Sequence, residues 1–158
     1  MTGQASDTSA SATLRNATHQ DEAAISTLLT AAKLPLDGVR DALPNFLVAE
    51  DAGAIVGVAG IEPCGTENEN ALLRSVAVAS AWQGRGLGRA LVERAIADAS
   101  SRGFSAIYLL TTTAENYFPA FGFSVIARDD VPDDVKATRE YCGVCPSSAT
   151  VMVRTLTR

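Results

Sequence analysis

The sequence has few of the residues that form metal centres and disulfide frameworks. It contains three cysteines and one histidine, and so odd and sparse a cysteine set does not fit a secreted disulfide scaffold. Reduced thiols and a cytoplasmic location are therefore expected. Cys142 and Cys145, with Cys64 as a distant third, offer too few ligands for a zinc site, so we interpret them as structural and predict no metal. His19 falls at a helix start and is expected at the surface.

Long apolar runs and an excess of basic charge are missing as well. No stretch has the length of a membrane span, and the first twelve residues lack the basic start and apolar core of a signal peptide. The net charge of -5 and the pI near 4.8 oppose binding to nucleic-acid phosphates. Neither a membrane nor a nucleic acid is therefore expected as a partner.

Length and composition are those of one globular domain. Of 158 residues, 47% are hydrophobic and 20% charged, which allows a buried core without disulfides or metal. Residues 1–12 are small and polar, so we expect a disordered N-terminal tail followed by a single domain over residues 13–158.

Hydrophobic patterning predicts a mixed α/β fold. Asp51-Ala52-Gly53 has the turn chemistry of an antiparallel hairpin. The segment 33–43 is predicted as a loop or short second helix that forms one wall of a pocket, and the segment 62–70 as a polar loop. Strands are expected at residues 13–17, 46–50, 54–61, 71–79, 105–110, 122–128 and 150–156, and helices at residues 24–32, 86–102, 113–121 and 133–141.

Glycines recur at alternate positions between the strand 71–79 and the helix that follows it. Gly84, Gly86 and Gly88 let backbone amides approach a ligand closely, and the helix directs its positive end at the same point. Arg85 and Arg89 add positive charge. Such a turn either serves only as a tight connection or binds an anion, and phosphate is the most natural one. A nucleotide-bearing cofactor is the interpretation we favour.

The same residues resemble the phosphate-binding motif of the GNAT superfamily of N-acetyltransferases. The motif is present as Gln83-Gly84-Arg85-Gly86-Leu87-Gly88, after the strand Ser75-Val76-Ala77-Val78 and before Gly122-Phe123. The resemblance implies a central, mostly antiparallel sheet that splays apart where acetyl-coenzyme A binds, with flanking helices and a small-molecule amine as acceptor. The cofactor-binding residues that it implies are Val76, Ala77, Val78, Gln83, Gly84, Arg85, Gly86, Leu87, Gly88, Arg89, Thr111 and Phe118.

The resemblance also implies the chemistry. The backbone amide near Val76 polarises the thioester carbonyl, and the amine attacks without an acyl-enzyme. Many members place a tyrosine proton donor where this chain has Phe118, so Tyr117, water or an unprotonated thiolate is left for that role. A glutamate base of some members is replaced by Leu72. Glu50 and Glu62 are the remaining candidates for the base, the alternative being solvated strand-end charges.

A narrower resemblance concerns the acceptor. Two segments resemble the N-acetyltransferase branch of bacterial arsenic-resistance operons, namely Leu109-Leu110-Thr111-Thr112-Thr113-Ala114-Glu115 and Cys145-Pro146-Ser147-Ser148-Ala149. That branch is similar to enzymes that acetylate the α-amino group of phosphinothricin and arsinothricin. That resemblance implies substrate binding by Arg74, Ser75, Thr112 and Thr113. Strand alternation directs Arg74 to the same side as Val76, although an ion pair with a local carboxylate is an equal alternative. Other open readings are another amine, a peptide N-terminus, a non-catalytic acetyl-coenzyme A sensor and a homodimer.

Overall fold

The structure is a computed structural model that describes residues 12–34, 36, 38–64, 69–111, 114, 116–137 and 149–156. Strands and helices are interspersed along the chain, which confirms the mixed α/β class. The strands are β1 (Thr13–Asn16), β2 (Phe46–Asp51), β3 (Ala54–Cys64), β4 (Asn70–Val78), β5 (Ala106–Thr111), β6 (Ser124–Val125) and β7 (Thr150–Thr155). The helices are α1 (Glu22–Ala31), α2 (Val39–Ala42), α3 (Leu87–Ser101) and α4 (Asp133–Lys136).

The strands form a seven-stranded sheet in the order β1-β2-β3-β4-β5-β7-β6. β1 with β2, β2 with β3, β5 with β7 and β6 with β7 pair antiparallel, whereas β4 and β5 pair in parallel. The register joins Asn70–Leu72 of β4 to residues 106–108 of β5, and both strands continue beyond those pairs. A parallel pair joined by α3 is the predicted strand, helix and strand arrangement.

Two compact units divide the chain, and the first comprises Met1–Gly60 and Ser75–Ala95. Its β2–β3 hairpin turns at Ala52 and Gly53, whose φ angles of 52° and 84° are both positive, as a type I′ turn requires. The backbone amide of Thr18 donates to Oδ2 of Asp21 at 2.8 Å in a capping box that opens the 3-10 turn His19–Asp21, and this turn leads into α1. The core of this unit packs Ile25, Leu29, Val39, Leu43, Phe46, Val48 and Val58 together.

The second unit comprises Ile61–Arg74 and Ile96–Arg158. Its most extensive pairing joins β5 to β7 over Ala106–Thr111. Val131, just before α4, and Val135, within α4, pack against buried residues of the strands, among them Leu72 and Cys64. Burial raises the pKa of the Cys64 thiol to about 12, with the nearby carboxylates of Asp134 and Glu62 acting in the same direction, so this cysteine is an unreactive core residue.

Several predicted elements differ in extent from those observed. The helix predicted at residues 113–121 is wrong for the described part of that range, where residues 116–117 form a turn and Phe118–Phe121 forms a 3-10 turn. The reason is that Pro119 lacks an amide donor and that Gly122 ends the turn at a φ of 89°. The strand predicted to run to residue 128 is only β6, after which Arg128–Asp130 forms another 3-10 turn.

Two further boundaries need correction. β3 continues to Cys64, so Glu62 lies in a strand and not in the polar loop that the sequence predicts. The burial of Ile61 and Cys64 explains why the strand continues. The helix predicted at residues 133–141 is observed as α4, and residues 138–141 lie outside the described residues. Segment 33–43 contains α2, one of the alternatives predicted for it.

Candidate active site

The glycine-rich turn is exposed and lies at the N-terminus of α3. A 3-10 turn at Ser80–Trp82 precedes residues 83–86, all of which are exposed, and α3 begins at Leu87. Gly84 and Gly86 have φ angles of 80° and 84°, a conformation that L side chains rarely adopt. Among the described residues, no atom outside Gly84 and its two chain neighbours lies within 4 Å of the position that a Cβ would take at Gly84. The turn therefore offers bare backbone to a ligand.

Local hydrogen bonds hold this turn in place. The side-chain amide of Gln83 donates to the carbonyl oxygen of Val78 at 3.2 Å, and the amide of Ala90 donates to the carbonyl of Gly86 at 3.1 Å. The second bond opens the helical ladder of α3, so the helix dipole has its positive end at the turn. This arrangement suits an anion, as the spacing of the glycines predicts.

Ser75 interrupts the regular geometry of β4. It has a φ of 60° and is buried, a strained backbone for a non-glycine residue. Alternation along the strand is therefore interrupted at Ser75, and the expectation that Arg74 shares a side with Val76 stays a prediction. The strained residue directly precedes Val76, whose amide the family resemblance implicates in catalysis.

Arg74 forms an ion pair inside the second unit. Its Nη1 lies 3.1 Å from Oε1 of Glu62, and the Arg74 side chain is 0% exposed against 22% for Glu62. The structure thus contains the ion pair that the sequence left open as an alternative for Arg74. Leu72, at the place where some relatives carry a base, is fully buried in the apolar core.

Glu50, the other candidate base, belongs to a different ion-pair network. Nε of Arg15 donates to Oε1 of Glu50 at 2.8 Å, and the Nη atoms of Arg15 bind both oxygens of Asp21 at 2.8 and 2.9 Å. Arg15 lowers the pKa of Asp21 from 3.8 to about 2, and the backbone of Thr18 adds to the effect. The two carboxylates in turn raise the pKa of Arg15.

The candidate proton donor lies in an aromatic cluster. Tyr117 is 43% exposed and makes edge-to-face contacts with Phe118 and Phe121, with ring centroids 5.2 Å apart in both cases. Phe118 is buried and also packs against Phe123. It is therefore Phe118 that points inward. Upstream of this cluster, the backbone amide of Ala114 donates a hydrogen bond to Oγ1 of Thr111 at 2.9 Å.

Some predicted residues lie outside the described part of the chain, namely Thr112, Thr113, Cys142 and Cys145. Among the described residues no three His, Cys, Asp or Glu side chains are grouped as metal ligands. His19 is exposed, as predicted. None of the helices in the described ranges is long and apolar enough to cross a membrane.

Sequence reasoning missed two residues that contact the predicted site residues. The guanidinium carbon of Arg85 lies 4.4 Å from the ring centroid of Trp82, and an aromatic residue so near an arginine in a turn was a usable signal. Arg15 pairs with Glu50 across 35 positions of sequence, a separation at which no local pattern could reveal the contact.

The exposed glycine turn before α3, after a strand that pairs in parallel with the next, defines a class of α/β proteins that bind a phosphate-bearing cofactor. The sequence profile described as "Acetyltransferase (GNAT) family" matches residues 12–123. The chain therefore belongs to the GNAT acetyltransferase family. The prediction of an acetyl-coenzyme A-dependent N-acetyltransferase is confirmed at the level of the family.

Two relatives resemble this chain over different shares of their own length. An uncharacterized N-acetyltransferase of Chlorobaculum tepidum is 29% identical over 154 residues, covering 90% of this chain and 96% of that protein. An amino-acid acetyltransferase of Ralstonia nicotianae is 34% identical over 92 residues, covering 58% of this chain but 20% of that enzyme. The chain thus spans about a fifth of the second relative's length.

Solved structures share the fold. N-acetylglutamate synthase of Neisseria gonorrhoeae, complexed with coenzyme A and N-acetyl-glutamate, has a TM-score of 0.79 at 22% identity, covering 92% of this chain and 35% of that one. The Escherichia coli N-acetyltransferase YhbS, complexed with coenzyme A, has a TM-score of 0.71 at 25% identity, covering 92% of this chain and 82% of that one. The likeness to the first structure shows the fold alone.

Proposed function

We propose that this chain acetylates the amine of a small amino acid that carries a second acidic group. The observation that carries the proposal is the exposed turn at residues 83–86, where Gly84 and Gly86 present left-handed backbone at the positive end of α3. In this proposal the diphosphate of acetyl-coenzyme A binds the turn, and the residues named from the family resemblance bind the cofactor. We take residues 13–158 as the catalytic domain. The cytoplasmic location of the protein and its assembly as a homodimer stay predictions.

The reaction itself needs one acyl transfer. The nitrogen of the neutral amine attacks the thioester carbonyl carbon, a C–N bond forms, the C–S bond breaks, and coenzyme A leaves as a thiolate. The proton lost by the amine passes to a base, and the thiolate takes one from Tyr117 or from water. The strained backbone at Ser75 supports a role for the next amide, that of Val76, as the donor to the oxyanion.

Glu62 is our choice for the base. Its carboxylate contacts Arg74, which stands in β4 shortly before Val76. Glu50 is bound instead by Arg15 of the edge strand β1. A carboxylate within reach of the ammonium, directly or through one water, is what general base catalysis requires. Arg74 holds this carboxylate in place, and its further role in acceptor binding, with Ser75, Thr112 and Thr113, stays a prediction.

The named relatives support the choice of acceptor class. The Ralstonia nicotianae relative is named an amino-acid acetyltransferase, and the Neisseria gonorrhoeae structure contains N-acetyl-glutamate. Phosphinothricin and arsinothricin are glutamate mimics, so the arsenic-resistance branch that the sequence resembles is a narrower form of the same proposal.

A thiol-release assay with a panel of amines tests the proposal. We expect turnover with glutamate, phosphinothricin or arsinothricin, and little with a polyamine or a peptide N-terminus. Replacement Glu62→Gln should lower kcat by about a hundredfold, and by more than Glu50→Gln does. Turnover confined to polyamines or peptides would contradict the acceptor class, and a larger loss in Glu50→Gln would contradict the choice of base. Tight acetyl-coenzyme A binding without turnover on any amine would favour the sensor.

A further inference from the structure

One arginine, Arg85, lies within the glycine turn and another, Arg89, lies in the first turn of α3, and their surroundings differ. Nε of Arg89 lies 3.3 Å from Oε2 of Glu93, one helical turn further along α3, and both side chains are well exposed. Arg85 contacts the ring of Trp82 instead, and within the described ranges no acidic side chain pairs with it. The charge of Arg85 is thus available to a ligand, whereas part of the charge of Arg89 is offset by a neighbour.

Arg85 makes a cation–π contact with Trp82. The guanidinium carbon lies over the Trp82 ring, 4.4 Å from the ring centroid. The N–H donors of a guanidinium lie in its plane, and stacking on an aromatic ring does not use them. A stacked arginine therefore keeps the planar set of donors that binds two phosphate oxygens at once.

Trp82 is itself held firmly. Its side chain is buried, with 8% exposed, and its amide donates to the carbonyl of Ala79 at 2.8 Å. It belongs to the 3-10 turn Ser80–Trp82, whose position after β4 is fixed by the amide of Ala79 bonding to the carbonyl of Val56 at 2.8 Å. A fixed ring restricts the rotamers of the arginine stacked on it, which reduces the entropy lost on binding.

We propose that Trp82 is a positioning residue that presents the Arg85 guanidinium to a phosphate group of the cofactor. The inference rests on the proposed function, because it takes the glycine turn as the phosphate site. It adds that Arg85, rather than Arg89, is the principal cationic side chain there, and that Trp82 acts through it.

Calorimetric titration with acetyl-coenzyme A tests the proposal in a double-mutant cycle. Arg85→Ala should raise Kd by at least about tenfold, the typical effect of losing hydrogen bonds to a charged group. Trp82→Leu should raise Kd by about two- to fivefold, and Trp82→Phe by less, because a ring remains. In the Arg85→Ala background, Trp82→Leu should add almost nothing. The slope of log Kd against log salt concentration should fall in Arg85→Ala.

The matched control is Arg102→Ala, which removes a second stacked arginine, 5.2 Å from the ring of Phe104. It changes the net charge equally and should keep the wild-type Kd. Additive effects of Trp82→Leu and Arg85→Ala, or a wild-type Kd in Arg85→Ala, would overturn the inference while leaving the proposed function intact. Failure of the wild-type protein to bind acetyl-coenzyme A would overturn the proposed function itself. Should Trp82→Leu not fold, Trp82→Phe and Arg85→Ala complete the cycle.

Discussion

Arg15 binds two carboxylates at once and so joins three segments of the first unit. It reaches Asp21 before α1 and Glu50 at the end of β2, each at 2.8 Å. Asp21 is the more deeply buried partner, with a side chain 9% exposed, and Arg15 lowers its pKa to about 2. A carboxylate so placed stabilises the folded state only while it is ionised.

The sign of the pH dependence follows from that lowered pKa. Because the folded-state pKa lies below the ordinary value of 3.8, the stabilisation is complete above about pH 5 and is lost as the pH falls towards 2. Asp21→Asn should lower the free energy of unfolding by about 1–2 kcal/mol at pH 7. Urea titrations of both proteins at pH 7, 4 and 2.5 should show the difference shrinking with acidity.

Glu22, which follows Asp21 in the chain, supplies the control for this prediction. Glu22 pairs with Arg40, whose side chain is 76% exposed, and exposed pairs contribute little. Glu22→Gln should therefore change the free energy of unfolding by less than about 0.5 kcal/mol at every pH. A pH-independent loss in Asp21→Asn would show that its role is packing rather than charge.

At the scale of elements, two glycines of β3 let its neighbours approach. A Cβ at Gly57 would meet Cδ1 of Leu91 at 2.9 Å and Cδ2 of Leu87 at 3.2 Å, both flexible tips of α3. A Cβ at Gly60 would overlap the ring of Phe46, which is fully buried. A ring cannot move aside as a leucine tip can, so the two positions differ in tolerance.

We therefore expect Gly60→Ala to lower the free energy of unfolding by about 2–3 kcal/mol and Gly57→Ala by about 1 kcal/mol. Denaturant unfolding of the two variants measures both. Gly60→Ala should cost less in a Phe46→Leu background than in the wild-type protein, since the smaller side chain makes room for the added methyl. An equal cost at the two glycines, or an unreduced cost in the Phe46→Leu background, would contradict this account.

Elements were predictable where local signals agree. The sequence predicted β4, the glycine turn, α3 and β5, because apolar periodicity and the alternate glycines point the same way there. The segment around Pro119 was not predicted, because its apolar residues fit a helix while the proline removes a donor from it. Its rings instead form the cluster of Tyr117 and Phe118 with Phe121 and Phe123.

At the scale of the whole molecule, what the sequence could not reveal is the pairing of charges distant along the chain. Glu62 and Arg74 are 12 positions apart and Arg15 and Glu50 are 35 apart. Which carboxylate each arginine contacts depends on strand register, and β2 carries a register irregularity at Ala49 and Glu50. The glycine turn was predictable because its residues are contiguous in sequence, whereas a base and an acceptor site depend on residues that only the assembled sheet brings together.

Binding of the cofactor should stabilise the whole protein by mass action. A ligand that binds only the folded state at about 100 times its Kd adds about 2.7 kcal/mol, and each further tenfold in concentration adds about 1.4 kcal/mol. The Tm should therefore rise steadily with acetyl-coenzyme A concentration in a thermal-shift titration. If the turn binds the cofactor through bare backbone, as we propose, Gly84→Ala should shift this dose dependence to at least about tenfold higher concentration.

Gly53 makes the comparison exact in backbone terms. It has a φ of 84° against 80° for Gly84. At either position, no atom of the described part of the chain lies within 4 Å of an added Cβ, apart from the glycine and its chain neighbours. Gly53→Ala therefore carries the same conformational strain, of about 1–2 kcal/mol, in a hairpin turn of β2 and β3. Both variants should lose Tm equally without ligand, but only Gly84→Ala should lose the response to it. An equal response in the two variants would mean that the glycine turn is a connection between elements and the cofactor binds elsewhere.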